Sequence, residues 1–213
     1  MQQLKGIHTI DNSEAKNHGM ECWALDCGEG VVLIDGGMTP QHVDNIAAEL
    51  KTMKKTWKDV KLILVTHKHG DHTKNLQKLK ELTGAPVKAH KLEAPLIEKA
   101  VGVKVEPLED GETISLCGGI EVVWVPGHSE GNACYYIKKQ KTMIAGDTIF
   151  GDENSNLTTP PEKYCLDAKQ AAKEIERLLK YDFDNLLYAH GKDVIGGAKK
   201  KIKELVDKNA EAQ

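Results

Sequence analysis

The segment at residues 60–72 reads VKLILVTHKHGDH, a short apolar run that leads directly into a cluster of histidines. The run at 60–65 contains β-branched residues and has the length of a buried strand. The loop after it offers four candidate metal ligands in six residues: His67, His69, Asp71 and His72. Imidazole nitrogens and a carboxylate suit zinc, iron or manganese, and the absence of cysteine ligands argues against a structural zinc site. Because crowded imidazoles repel one another when protonated, we interpret this loop as a metal site.

Three further segments each place one candidate ligand beside a glycine, at or near the end of a predicted strand. They are Pro126-Gly127-His128-Ser129, Ala145-Gly146-Asp147-Thr148 and Tyr188-Ala189-His190-Gly191. Open sheets place their binding residues at strand ends and in loops, so we expect these segments to converge with the histidine loop. The combined set of five histidines and two aspartates is sufficient for two metal ions with open coordination positions.

The apolar pattern around these ligands predicts two halves of similar plan. Strands are predicted at 21–25, 30–34, 60–65 and 87–89, and again at 120–125, 133–138, 142–145 and 186–188. Helices are predicted from Thr39 onward, after residue 72, and over 92–100, 166–179 and 198–206. We therefore predict a single α/β domain over 1–213, with halves at about 1–105 and 106–213. The expected fold class is a four-layer αββα sandwich of two mixed β-sheets with helices outside.

Composition narrows the functional class. The chain has 213 residues, and its 29 Lys and Arg against 32 Asp and Glu give a net charge of −3, which argues against a general nucleic-acid binder. No run of about 18 apolar residues is present, and residues 1–17 show no secretory signal. Five cysteines without a Cys-x-x-Cys pair predict reduced thiols. We predict a cytoplasmic monomer or homodimer that acts on a small-molecule substrate, with no nucleic acid and no membrane as partner.

The ligand pattern resembles that of the metallo-β-lactamase-fold hydrolase superfamily, over nearly the whole chain from Gly6 to about Val206. The His-x-His-x-Asp-His motif followed by Gly-His, Gly-Asp and His-Gly in that order is highly specific. The resemblance implies that two metal ions share seven ligands: His67, His69 and His128 for the first, Asp71, His72 and His190 for the second, and Asp147 for both. Asp35 resembles a family residue that supports the metal loop from behind the ligands.

Spacing between the ligands is most similar to that of short glyoxalase II-like members of the family. Members that carry cysteine at the position of Asp147 differ from this chain, and acyl-homoserine lactonases usually carry tyrosine where this chain has Phe150. Members that process RNA carry an inserted domain for which this chain has no length. The sequence ends about twenty residues after His190, so the helical C-terminal domain of classical glyoxalase II is not expected.

The function implied is that of a dinuclear metal-dependent hydrolase, with zinc as the first choice of metal and iron or manganese as alternatives. In such enzymes a metal-bridging hydroxide attacks a carbonyl carbon, and Asp71 is expected to orient it and to accept its proton as the catalytic residue. Because a thiolate leaves without protonation, a small thioester or activated ester is the first substrate class. Lactone or β-lactam hydrolysis is the alternative. Alternatives of another class are a mononuclear iron sulfur dioxygenase and a metal-binding protein without catalysis.

The substrate pocket is less readable from sequence. Four residues lie near the ligands along the chain and are candidate substrate-binding residues: Asn132, Phe150, Tyr188 and Lys192. For each of them, strand packing or simple solvent exposure is an equally good explanation. Three histidines outside the motif are predicted to lie on the surface: His8, His18 and His42.

Overall fold

The computed structural model describes residues 2–13, 20–152 and 154–211 of the chain. They form two compact units, Met1–Glu109 and Asp110–Gln213. Each unit has its own helices and its own mixed sheet, in which parallel and antiparallel pairs both occur. The boundary lies close to the junction of the two predicted halves, while the interpretation as a single domain stays a prediction.

Seven strands form the sheet of the first unit, in the same order as in the chain. They are β1 (Gln2–Leu4), β2 (Ile7–Asp11), β3 (Glu21–Asp26), β4 (Val31–Ile34), β5 (Val60–Val65), β6 (Val87–His90) and β7 (Val105–Leu108). Neighbours from β1 to β4 are antiparallel, and neighbours from β4 to β7 are parallel. Because β4 and β5 are parallel, their carboxyl ends lie at the same edge of the sheet. That edge carries Asp35 after β4 and the histidine loop after β5.

Helices cover one face of this sheet. They are α1 (Pro40–Thr52), α3 (Leu76–Thr83) and α4 (Ala94–Val101), while α2 (Gly70–Thr73) is the short helix that carries Asp71 and His72. Proline at the first position of α1 fixes a helical φ where no backbone donor is needed. The buried residues Ile46 and Leu50 of α1, Leu79 of α3 and Ile97 of α4 pack in one apolar cluster with strand residues such as Ile63. Burial of each such side chain contributes about 1.5–3 kcal/mol to the free energy of folding.

Six strands form the sheet of the second unit, in the order β15-β14-β11-β10-β9-β8. They are β8 (Thr113–Ile114), β9 (Ile120–Trp124), β10 (Ala133–Ile137), β11 (Thr142–Ile144), β14 (Asn185–Leu187) and β15 (Val194–Ile195). Among the described residues of this sheet, only β11 and β14 pair in parallel, and β10 runs antiparallel to both β9 and β11. The carboxyl ends of β9, β11 and β14 therefore lie at one edge of the sheet, where each is followed by a candidate ligand. A small hairpin of β12 (Phe150–Gly151) and β13 (Leu157–Thr158) lies between β11 and β14 in the chain.

Two helical segments pack on the second sheet. The helix α5 (Ala168–Glu174) continues as a 3₁₀ helix over Ile175–Lys180, and α6 (Ala198–Glu211) follows the last strand. Buried residues Ile175, Leu178, Ile202 and Leu205 form an apolar cluster with strand residues such as Met143. Within the described residues, no helix combines the length and the apolar character that crossing a membrane requires.

Most of the predicted strands and helices are confirmed, and the differences occur where the pattern of polar and apolar residues does not match burial. The strands not predicted are β1, β2, β7, β8, β12, β13 and β15. Of these, β2 was missed because it buries polar residues, His8 and Thr9, and so does not look like a strand in the core. Leu166 was expected on the buried face of a helix, yet it is exposed and α5 begins only at Ala168, after Asp167 accepts a capping hydrogen bond.

The surface prediction for histidines outside the motif is wrong for two of them. His8 and His42 are 8% and 2% exposed. The Nδ1 atom of His8 lies 2.6 Å from Oε1 of Glu49, and Nδ1 of His42 accepts a hydrogen bond from the backbone N–H of Met38. His18 lies outside the described residues.

The prediction of reduced cysteines holds for three of the five. Free thiols are found at Cys22, Cys134 and Cys165. Cys27 and Cys117 are in the disulfide form, which corrects the prediction for these two residues. An odd number of cysteines therefore did not exclude disulfide bonding.

Candidate metal centre

The histidine loop of the first unit begins at Thr66, immediately after β5, and continues into α2. His67 and His72 are fully buried, and 31% of the Asp71 side chain is exposed. The Nε2 atom of His67 lies 3.0 Å from Nδ1 of His69, and the rings of His67 and His72 have centroids 4.2 Å apart. Oδ2 of Asp71 lies 3.7 Å from Nε2 of His72. The fold thus brings all four predicted ligands of this unit into one small cluster.

Asp35 fixes the orientation of this cluster from β4. Its Oδ2 atom accepts a hydrogen bond from Nδ1 of His72 at 2.8 Å, and its Oδ1 atom accepts one from the backbone N–H of Thr66 at 2.8 Å. A carboxylate only accepts hydrogen bonds, so Nδ1 of His72 carries the proton and Nε2 keeps a lone pair for a metal. Asp35 has a φ of +64°, a left-handed conformation that costs about 1–2 kcal/mol outside glycine. The supporting role implied for Asp35 agrees with these contacts.

Each of the three predicted ligands of the second unit follows a different strand. His128 follows β9, Asp147 lies in a 3₁₀ turn (Gly146–Thr148) after β11, and His190 follows β14. Oδ2 of Asp147 lies 3.5 Å from Nε2 of His128 and 3.4 Å from Nε2 of His190. His128 and Asp147 are 2% and 4% exposed, and His190 is partly exposed. One carboxylate oxygen therefore lies close to the imidazole nitrogens of two different histidines.

Close packing of the backbone holds His128 in place. Gly127 has a φ of +120°, and a Cβ atom there would lie 2.2 Å from the backbone nitrogen of Ala171. Behind the ligands, Nδ2 of Asn132 donates to the carbonyl of Val125 at 2.9 Å and to Oγ1 of Thr148 at 2.7 Å. These bonds tie the loop after β9 to the turn that carries Asp147.

Cys165 contacts His128 from the segment before α5. Its Sγ atom lies 3.8 Å from Nδ1 of His128, and the next residue, Leu166, donates its backbone N–H to the carbonyl of His128 at 3.1 Å. Burial, followed by the nearby carboxylate of Asp147, raises the pKa of the Cys165 thiol.

The donor set inside each unit fits a metal ion. Two ligands of one tetrahedral zinc ion, each at 2.0–2.1 Å, lie about 3.3–3.4 Å from each other. The distances from Asp147 to His128 and to His190 are close to this value, and the spacing of His67 and His69 is slightly shorter. Nitrogen and carboxylate donors without thiolates are the set expected of a catalytic zinc, iron or manganese site.

The four candidate substrate-binding residues differ in what their side chains contact. The ring of Phe150 stacks on His190 with centroids 4.8 Å apart. Asn132 and Tyr188 are fully buried, and the Tyr188 hydroxyl donates to the carbonyl of Lys192 at 2.6 Å. The Lys192 side chain is exposed. Asn132 and Tyr188 thus make structural hydrogen bonds, and a role in substrate binding stays a prediction for all four.

Sequence reasoning missed Thr66, Thr148 and Cys165. Thr66 and Thr148 each adjoin a ligand and bond to a residue distant in sequence, Asp35 and Asn132 respectively. The only signal in the sequence for these two threonines is that each carries a hydroxyl and lies next to a candidate ligand, near the end of a strand.

Known proteins that this chain resembles include proteins named as hydrolases and as metallo-beta-lactamases. A family model described as the Metallo-beta-lactamase superfamily matches residues 21–190. A hydroxyacylglutathione hydrolase of Ectopseudomonas mendocina is 33% identical over 135 residues, which are 60% of this chain and 50% of that protein. A probable metallo-hydrolase, YflN of Bacillus subtilis, is 24% identical over 203 residues, which are 78% of this chain and 76% of that protein.

A solved structure supports the fold directly. A metallo-beta-lactamase from Pontibacter korlensis matches with a TM-score of 0.76 at 23% identity, covering 94% of each chain. This likeness confirms the fold class predicted from the sequence. The chain spans half or less of the length of the hydroxyacylglutathione hydrolases that it matches.

Proposed function

The chain belongs to the metallo-beta-lactamase superfamily, and from this premise we propose that it is a hydrolase that depends on two divalent metal ions. The observation that carries the proposal is the position of Asp147. Its Oδ2 atom lies 3.5 Å from Nε2 of His128 and 3.4 Å from Nε2 of His190, as expected for an oxygen shared by two ions that each bind one of these histidines.

The proposed ligand assignment uses the whole motif. In it, His67, His69 and His128 would hold one ion, Asp71, His72 and His190 would hold the other, and Asp147 would contribute to both. The support for this assignment is the order of the motifs in the family together with the donor geometry inside each unit. Zinc is the proposed metal, with iron or manganese as alternatives that suit the same donors.

When bound, two such ions would lower the pKa of a water molecule and would offer positive charge to a developing oxyanion. The side chains of the chain itself then have separate tasks. Asp71, whose carboxylate is partly exposed, orients the attacking water and accepts its proton. Asp147 and Asp71 offset part of the positive charge of the ions, and the surplus that remains favours an electron-rich carbonyl oxygen.

The proposed substrate class is a small thioester, with a hydroxyacyl thioester of glutathione first. Several matched relatives carry the name hydroxyacylglutathione hydrolase. A thiolate also leaves without protonation, so no acid residue needs to be assigned. Activated esters, lactones and β-lactams are alternative substrates. The complete set of seven ligands is more than the two histidines and one aspartate of a mononuclear iron sulfur dioxygenase, the alternative of another class. A cytoplasmic location and a monomeric or homodimeric state stay predictions.

The test is hydrolysis of S-lactoylglutathione by zinc-loaded protein. Saturable turnover is expected in the wild type, and Asp147→Ala should lose nearly all turnover and most of one metal equivalent. Asp44→Ala is the matched control, because Asp44 is exposed on α1 and should leave both properties unchanged. Undiminished turnover in Asp147→Ala would contradict the bridging role. No turnover by metal-replete wild type would exclude this thioester, and lactone and β-lactam substrates would be tried next.

A further inference from the structure

Thr66 lies between a carboxylate and a metal-ligand histidine in the buried interior of the first unit. Its Oγ1 atom lies 2.8 Å from Oδ2 of Asp35 and 3.0 Å from Nδ1 of His67. Thr66 and His67 are fully buried, and Asp35 is 1% exposed. The hydroxyl therefore connects Asp35 to His67 through two hydrogen bonds.

The direction of these bonds follows from the number of protons. A hydroxyl has one proton to donate, and the carboxylate of Asp35 only accepts, so Oγ1 of Thr66 donates to Asp35. Oγ1 then faces Nδ1 of His67 with a lone pair, and Nδ1 of His67 must carry the proton. The remaining ring nitrogen of His67, Nε2, keeps its lone pair on the side that faces His69.

The same oxygen of Asp35 also accepts from Nδ1 of His72. One carboxylate thus sets the ring tautomer of two histidines, of His72 directly and of His67 only through Thr66. In the proposed ligand assignment these two histidines bind different ions. The two routes can be separated by mutation, because removing the hydroxyl breaks the route to His67 and leaves the route to His72.

We propose that Thr66 is a positioning residue that selects the metal-binding tautomer of His67 and so controls the affinity of one of the two metal ions. The proposal rests on the proposed dinuclear function. Partners behind metal-bound histidines typically change metal affinity by about 10- to 100-fold when they are removed. Thr66→Val is the smallest substitution that removes the hydroxyl, because valine has the shape of threonine without its hydrogen-bond donor and acceptor.

The experiment is a zinc titration of apoprotein in competition with a chromophoric chelator. Thr66→Val should lower the affinity for one of the two zinc ions by about 10- to 100-fold and change the affinity for the other by only a few-fold. Thr66→Ser restores the hydroxyl and should bind both ions as the wild type does. Thr142→Val is the matched control, since Thr142 is a buried threonine of the other unit whose hydroxyl donates to the carbonyl of Gln140.

A second measurement reads the tautomer without metal. Two-bond ¹H–¹⁵N correlation spectra of apoprotein should show His67 protonated at Nδ1 in the wild type and in Thr66→Ser, and a mixture of tautomers in Thr66→Val. This readout does not change if Thr66 only fills space. Circular dichroism of all variants establishes that they are folded before either measurement is interpreted.

The outcomes separate this proposal from the proposed function. The role of Thr66 would be overturned if Thr66→Val lowered the affinity for both ions equally or left zinc binding unchanged. It would also be overturned if Thr66→Ser failed to restore zinc binding. A wild type that binds a single ion would overturn the dinuclear function instead. In that case the role of Thr66 is still decided by whether Thr66→Val shifts the tautomer of His67.

Discussion

The Oδ2 atom of Asp35 lies 2.8 Å from Nδ1 of His72, and neither side chain is exposed to solvent. The same oxygen accepts from the hydroxyl of Thr66, and Oδ1 of Asp35 accepts from the backbone N–H of Thr66. Three donors thus converge on one carboxylate, at the point where the parallel strands β4 and β5 end side by side. Replacing the carboxylate by an amide leaves no orientation in which all three donors are satisfied.

Asp35→Asn is therefore expected to weaken both proposed metal sites, in contrast to Thr66→Val. An amide nitrogen placed against a donor costs about 1–3 kcal/mol in the free energy of unfolding, because a buried polar group loses its partner. Metal affinity should fall by about 10- to 100-fold for each ion. Zinc competition titration and urea unfolding measure the two effects, with Asp44→Asn on the exposed face of α1 as control. Wild-type zinc affinity in Asp35→Asn would contradict the supporting role of Asp35.

Gly127→Ala is expected to be strongly destabilising. Its φ of +120° is unfavourable for alanine, and the added Cβ would lie 2.2 Å from the nitrogen and 2.5 Å from the Cα of Ala171. Backbone atoms cannot move aside, so the loop that carries His128 must shift. We expect a loss of about 3 kcal/mol or more in the free energy of unfolding, together with weaker metal binding.

The control for this substitution is Gly196→Ala in the same unit. Gly196 has a positive φ of 82°, yet an added Cβ there has no neighbour within 4 Å. Only the conformational strain of about 1–2 kcal/mol should remain, with metal binding unchanged. Equal unfolding midpoints in urea for the two variants would show that the contact with Ala171 carries no cost.

The fold could be predicted from the sequence wherever burial and polarity agree. The apolar runs at Val60–Val65 and Ala133–Ile137 are strands at the predicted places. Ile7–Asp11 was missed because its His8 is buried against Glu49 of α1, and no local pattern reveals a polar residue that has a partner 41 positions away. Leu166 was misplaced because an apolar residue in a loop looks the same in sequence as one on a helix face.

The sequence allows a candidate site to be predicted where the proposed ligands are crowded in one loop, but it does not reveal the distant residues that support them. The His-x-His-x-Asp-His motif puts several metal donors in one loop, so chemistry alone identifies it. The roles of Thr66 and Asn132 depend on which strands are neighbours. Thr66 contacts Asp35 across 31 residues because β4 and β5 pair in parallel, and Asn132 contacts Thr148 because β10 returns beside β11.

Asp152 should contribute to stability in a pH-dependent manner. Hydrogen bonds from the backbone and then the side chain of Asn156, with a further bond from the backbone of Asn154, lower the pKa of its carboxyl below the ordinary value of 3.8. Because the pKa of Asp152 is lower in the folded state, its carboxylate stabilises the fold above about pH 3.8. This stabilisation is lost as the pH falls through the pKa of the folded state.

Asp152→Asn should therefore unfold at a lower urea concentration than the wild type at pH 7, and the difference should shrink as the pH falls below about 3.8. The effect is small, since Asp152 is exposed and solvent screens it. Asp44→Asn serves as an exposed control on α1. A difference that stays constant from pH 7 to pH 3 would show that the charge of Asp152 makes no contribution.

The three free thiols should react at very different rates with a disulfide reagent such as DTNB. Burial raises the pKa of Cys22 and of Cys134 to about 12, so at pH 8 almost no thiolate is present and the reagent cannot reach the sulfur. Cys165 is partly exposed and should be the one thiol that reacts in the folded, metal-free protein. Unfolding in urea without reductant should release two further thiols. In Cys165→Ser the reaction of the folded protein should disappear while those two remain. Rapid reaction of this variant before unfolding would mean that β3 or β10 opens under native conditions, because Cys22 and Cys134 lie in these two strands.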